Sequence, residues 1–98
     1  MVARFVLVHG LRTSHSMWRP QLDALAAADI PAITVDLPGH GDRVDASFTM
    51  DAAVEAIADG VAAARETPGE PGPVILVGLS LGGFTSMETV GRHPHLVD

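Results

Sequence analysis

The stretch Val74-Ile75-Leu76-Val77-Gly78-Leu79-Ser80-Leu81-Gly82-Gly83 decides the fold. Its first four residues are aliphatic without alternation, which suits a strand covered on both faces, as in a parallel sheet. A Gly-x-Ser-x-Gly pattern follows at Gly78 to Gly82. Phe84, Met87 and Val90 then fall at helical spacing, predicting a helix that opens at the glycine pair and carries one apolar stripe. Average glycine and serine usage gives the five-residue pattern by chance in about 3% of chains this long, so an incidental serine in a turn is the bland alternative. Context outweighs it. A strand, a sharp turn and a helix form the arrangement in which a strained serine lifts its hydroxyl above the end of a sheet, with side chains at the flanking glycines excluded by the neighbouring strand and helix. Ser80 is therefore the candidate nucleophile, with Gly78 and Gly82 shaping its turn.

Toward the N-terminus, Arg4-Phe5-Val6-Leu7-Val8 reads as another buried strand, ended by His9-Gly10. Leu11 to His15 is turn-like, and Ser16 is the predicted N-cap of a helix with Arg19 and Pro20 in its first turn. Trp18, Leu22 and Leu25 mark the sheet-facing stripe of that helix, and Asp29 and Pro31 close it. Ala32 to Val35 is a short strand stopped by Asp36-Leu37-Pro38-Gly39-His40-Gly41. Thr49 caps the next helix, Asp51 complements its dipole, and Met50, Val54, Ile57 and Val61 trace its apolar face. Thr67 to Pro73 is a turn-rich connection into Val74. Gly91 and Pro94 stop the last helix, and Leu96-Val97 looks like the start of a further element.

The order strand, helix, strand, helix, strand, helix predicts an α/β fold: a parallel three-stranded sheet with flanking helices and right-handed crossovers. With the Arg4–Val8 strand in the middle, the strand order reverses between it and the Val74 strand. Open α/β sheets bind ligands at such a switch point, so His9-Gly10 and Gly78-Leu79-Ser80 flank the expected crevice.

Composition narrows the class. The chain has 98 residues, 47% of them hydrophobic, enough for one compact domain over residues 1–98. A net charge of -6, with six basic side chains scattered singly, offers no cationic surface for nucleic acid. The lack of cysteine leaves no disulfide framework and no thiolate metal site. No metal or cofactor is implied. The apolar run before His9 is too short for a signal peptide, and none approaches the roughly 18 residues of a membrane span. These features predict a soluble, cytoplasmic protein.

Attack on a carbonyl places negative charge on its oxygen, which prearranged N–H donors stabilise. The predicted donors are the backbone N–H of Leu81, at the helix start, and that of Leu11, in the turn after the first strand. Gly10 softens that turn. These three motifs, His9-Gly10, Asp36 to Gly41 and Gly78 to Gly83, follow successive strands in order and resemble the amino-terminal part of an α/β-hydrolase fold protein. The resemblance covers nearly the whole chain. It implies Ser80 as nucleophile, Leu11 and Leu81 as oxyanion amides, a shaping role for His9 in the oxyanion turn, and a structural loop at Asp36 to Gly41. A serine at the turn speaks against the haloalkane dehalogenase and epoxide hydrolase branches, which use aspartate there.

In the complete fold the acid and then the histidine follow later strands, so the resemblance implies a partial domain that stops before both. His9 belongs to the oxyanion turn, His15 and His40 read as loop groups, and His93 lies about 20 Å along the last helix from Ser80, with His95 beyond it. Asp36 reads as a loop-organising carboxylate. The expected function is hydrolysis of small carboxylic esters or related acyl compounds through an acyl-enzyme on Ser80. The 98 residues alone are expected to be inactive, since a serine without a base is a poor nucleophile. A non-catalytic ligand-binding relative stays open, as do carbon–carbon, thioester and perhydrolase chemistries of the same fold. The Val74 strand is expected to leave an apolar edge open to pairing or aggregation, and stability to be marginal.

Overall fold

The computed structural model describes residues 2–98. Strands β1 (Arg4–Val8), β2 (Ala32–Val35) and β3 (Val74–Gly78) form one parallel sheet in the order β2-β1-β3. Val8 stands opposite both Val35 and Gly78, so the three strands end level at the edge where the switch point was expected. Helices α1 (Arg19–Ala27), α2 (Met50–Arg65) and α3 (Leu81–Arg92) make the crossovers.

The core lies between the sheet and α2. Val6, Val8, Val35 and Val74 meet Ala53, Ala56, Ile57, Val61 and Ala64, with Leu76, Leu81, Leu96 and Val97 packed around them. The alanines keep the helix slim, so it lies close to the β-branched strand residues. Thr49 caps α2 as predicted, its hydroxyl accepting from Ala52 N at 3.0 Å. Met50, read as part of the inward stripe, is instead exposed, because the first turn of α2 begins outside the region it covers.

Two other local expectations change. Ser16 does not cap α1: His15–Trp18 form a 3-10 turn ahead of the helix, capped by Ser14 Oγ, which accepts from Ser16 N at 3.2 Å, and Trp18 stands at the N-cap of α1 without a side-chain bond. The His15 amide is drawn to the Asp36 carboxylate at 2.8 Å, which starts the turn early. Trp18 is buried, whereas Leu22 and Leu25 are only half-buried.

In α3 the apolar stripe points the other way. Gly82, Thr85, Ser86 and Thr89 face inward, while Phe84 and Met87 are 66% and 68% exposed. A Cβ at Gly82 would sit 2.7 Å from Val8 C, so backbone meets backbone there and only small residues fit that face. Thr85 and Thr89 satisfy their hydroxyls inside the helix, on Leu81 O at 2.9 Å and Thr85 O at 2.7 Å, and can therefore be buried. Asp98 returns to the outer edge of β3, where its N–H donates to Val74 O at 3.3 Å and its carboxylate accepts from Val74 N at 2.8 Å.

Arg4 had no role in the sequence reading beyond opening β1. It is buried and donates to Arg65 O at 2.7 Å, Glu70 O at 3.1 Å and Ala64 O at 3.3 Å. One guanidinium thus closes the C-terminal end of α2 and holds the connection into β3.

Candidate active site

Ser80 stands between β3 and α3 with φ 55° and ψ −116°, a positive φ that a residue with a side chain adopts only under constraint. The constraint is visible. Leu79 N donates to Val8 O at 3.1 Å, Gly82 N to Leu79 O at 2.9 Å, and Phe84 N to Ser80 O at 3.0 Å, so the turn is held on both sides. A Cβ at Gly78 would fall on Gly82 O and lie 2.7 Å from Gly83 N. Glycine at these two positions is what lets the helix leave the strand so sharply. Ser80 is exposed at the C-terminal edge of the sheet.

The turn after β1 lies against it. A Cβ at Gly10 would be 3.5 Å from Ser80 Cβ and 3.4 Å from Leu79 O. Residues 70 positions apart in the chain are thus neighbours. Among the described residues, neither the Leu11 nor the Leu81 amide donates to another group of the protein. Leu81 is the first residue of α3, where the N–H has no intrahelical acceptor and the helix dipole is positive. The structure therefore brings Ser80, Gly10, Leu11, Gly78, Leu81 and Gly82 to one edge.

His9 is fully buried behind this edge. Leu37 N donates to its Nε2 at 3.0 Å, so the proton sits on Nδ1, which donates to Gly10 O at 2.7 Å. Burial pushes the His9 pKa down, and the neighbouring His40 and His15 push the same way against the Gly10 and Asp36 contributions. The ring is a neutral bridge between the β1 turn and the β2 loop.

Asp36, placed by the sequence as a loop carboxylate, gathers that loop. Its oxygens accept from His15 N at 2.8 Å, His15 Nδ1 at 2.8 Å and Asp42 N at 3.0 Å. Burial pushes its pKa up, but the Asp42 and His15 amides and the His15 ring outweigh this and hold it below the ordinary carboxylate range. His15 was not expected here; 21 residues separate it from Asp36, and no local pattern announces the pair. His15, Asp36 and Asp42 offer ligand atoms within 4.8 Å of one another, but the carboxylate of Asp36 is already engaged by protein donors. His40 bonds Pro38 O, and His93 and His95 lie past the far end of α3. None of the described histidines is bonded to Ser80. Among the described residues, no helix is long and apolar enough to cross a membrane.

Comparison with known proteins agrees with this fold. The model of the alpha/beta hydrolase family matches residues 5–97. A pimeloyl-[acyl-carrier protein] methyl ester esterase of Neisseria meningitidis serogroup C is 38% identical over 96 residues, covering 98% of this chain and 34% of that protein. The lipase LipV of Mycobacterium tuberculosis is 34% identical, covering 97% of this chain and 34% of its own length. The chain thus spans about a third of the length of the curated relatives it matches. The crystal structure of ClbQ from the colibactin NRPS/PKS pathway superposes with a TM-score of 0.73 at 21% identity, over 100% of this chain and 40% of that one, and is alike in fold. With the parallel sheet, the Ser80 turn and a family match over nearly its whole length, the chain belongs to the alpha/beta hydrolase family.

Proposed function

We propose that this chain carries the nucleophile and oxyanion part of a serine hydrolase acting on small carboxylic esters or related acyl compounds. Ser80 Oγ attacks the acyl carbon as its proton passes to a general base, the protonated base gives that proton to the leaving alkoxide so that the alcohol departs, and water, deprotonated by the same base, hydrolyses the acyl-enzyme and returns the proton to Ser80. The Leu11 and Leu81 amides hold the oxyanion, and His9, Gly10, Gly78 and Gly82 shape their setting. The single observation that carries this reading is a strained, exposed Ser80 with two unengaged amides in the turns that meet beside it. The esterase and lipase names of the relatives support ester chemistry in particular.

The general base and its acid come from outside these 98 residues. His9 already bonds Leu37 and Gly10, His15 bonds Asp36, and His93 follows a 12-residue helix that extends roughly 18 Å from Ser80. The 98-residue polypeptide alone is therefore expected to turn over no ester.

A fluorophosphonate probe tests the proposal on the longest natural polypeptide that carries this segment. Labelling is expected in the wild type and lost in Ser80→Ala, with hydrolysis of short p-nitrophenyl acyl esters falling about 10⁴-fold or more. Labelling that survives the substitution would place the nucleophile elsewhere. A wild type that neither labels nor hydrolyses would favour the ligand-binding alternative.

A further inference from the structure

We propose that Asp36 is a positioning residue for the oxyanion turn, clamping the segment that carries the Leu11 amide; this rests on the hydrolase reading above. The turn after β1 runs from His9 to His15, and the β2 loop grips both ends of it. At one end Leu37 N donates to His9 Nε2 at 3.0 Å. At the other, Asp36 accepts from the amide of His15 at 2.8 Å and from its ring Nδ1 at 2.8 Å. Gly10 to Ser14 are suspended between these anchors, and none of their amides bonds to another group among the described residues. Arg12 within the span takes φ 62°. A short segment with a strained residue and no ladder bonds keeps one conformation only if its ends are fixed.

Asp36 suits this role better than a neutral acceptor would. Its side chain is 8% exposed, so its bonds compete little with water. It also accepts from Asp42 N at 3.0 Å, which locks the loop that presents it. A Cβ at Gly41 would run into its carboxylate, so the loop is wrapped tightly around the group. Charge-assisted bonds from a held carboxylate are stronger than neutral ones. The effect on chemistry is indirect: Asp36 fixes where the Leu11 N–H points, and the amide contacts the oxyanion. An oxyanion donor displaced by a fraction of an ångström loses much of its preference for the transition state over the substrate.

The test uses the longest natural polypeptide carrying the segment, with Asp36→Ala and Asp36→Asn compared with wild type. Active sites are counted by fluorophosphonate titration, so that unfolded enzyme is not scored as slow enzyme. Per labelled site, Asp36→Ala is expected to lower kcat about 10- to 100-fold with KM changed less than about twofold. It should weaken binding of a boronic acid transition-state analogue by a similar factor. Asp36→Asn, which keeps an acceptor for the His15 amide, is expected to recover part of the loss. Wild-type kcat per site in Asp36→Ala, or a loss carried wholly by fewer labelled sites, would overturn the proposal. If the wild type shows no ester chemistry, the hydrolase reading fails separately. Backbone 15N relaxation then decides on the clamp: added mobility confined to residues 10–15 and the loop around Asp42 in Asp36→Ala upholds it, and a loss of order spread over the whole chain rejects it.

Discussion

At the level of single residues, the site is organised by two groups whose protonation the fold sets, His9 through burial and Asp36 through the hydrogen bonds it accepts. His9 has no exposed surface, and its two ring nitrogens are committed to Leu37 N and Gly10 O, so a proton on Nε2 would break the first of these bonds. Its pKa is lowered in the folded state, chiefly by burial. The unfolded chain therefore takes up the proton first as pH falls, and the favourable contribution of neutral His9, complete above about pH 6.5, is lost on the way down to its folded value. Asp36, also lowered, acts in the same direction at more acid pH: its contribution is present above about pH 3.9 and is lost as pH falls through its folded value. The expected result is a Tm that is level above about pH 6.5 and declines below it, with a shallower decline in His9→Gln between about pH 6.5 and 5. Scanning calorimetry across that range checks it, and an unchanged slope in the variant would contradict a buried neutral imidazole. Ser80 and the glycines around it were legible in the sequence because a nucleophile turn is a property of five adjacent residues. The His15–Asp36 bond and the Nδ1 tautomer of His9 were not, since each depends on partners about 20 to 30 positions away.

Among the elements, the three strands and α2 follow their local signals closely. Continuous aliphatic runs gave parallel strands, of which only the central β1 is covered on both faces while β2 and β3, at the sheet edges, stay partly exposed, and a threonine ahead of an alanine-rich amphipathic run gave a capped helix. Thr49→Ala removes the acceptor for Ala52 N, and the expected cost is about 1 kcal/mol, read as a lower urea midpoint at unchanged slope. A midpoint within error of wild type would mean that this helix end does not depend on its cap. Helix α3 shows where periodicity misleads. Its apolar stripe was correctly located in sequence, but the helix turns its small residues toward β1, because the sharp exit from β3 brings the Gly82 backbone against that of Val8. Close approach of two backbones admits glycine and threonine and excludes phenylalanine and methionine. The buried Arg4 is a similar case: its four carbonyl acceptors, on Ala64, Arg65, Gly69 and Glu70, come from the end of α2 and the loop after it, distant in sequence from β1.

For the whole molecule, the outcome of that orientation is an apolar margin along α3 and the free side of β3. Ile75, Phe84 and Met87 are 39%, 66% and 68% exposed, and among the described residues the outer edge of β3 hydrogen-bonds only to Asp98. Contiguous exposed apolar surface next to an unpaired strand edge promotes association. The 98-residue polypeptide is expected to self-associate with rising concentration, and Phe84→Lys with Met87→Lys to suppress this while leaving Tm within a few degrees. Sedimentation velocity over a concentration series checks it; association that survives both substitutions would assign the contact to another face. The sequence by itself determined the order of elements, the α/β class and the identity of the turn serine, because strands, helices and a Gly-x-Ser-x-Gly turn are specified by residues within a few positions of one another. Only the tertiary structure decided which face of α3 is buried and that Asp36 holds His15. Those features arise from packing between segments up to 74 residues apart, as for Val8 and Gly82, and such packing leaves no periodic trace in the chain.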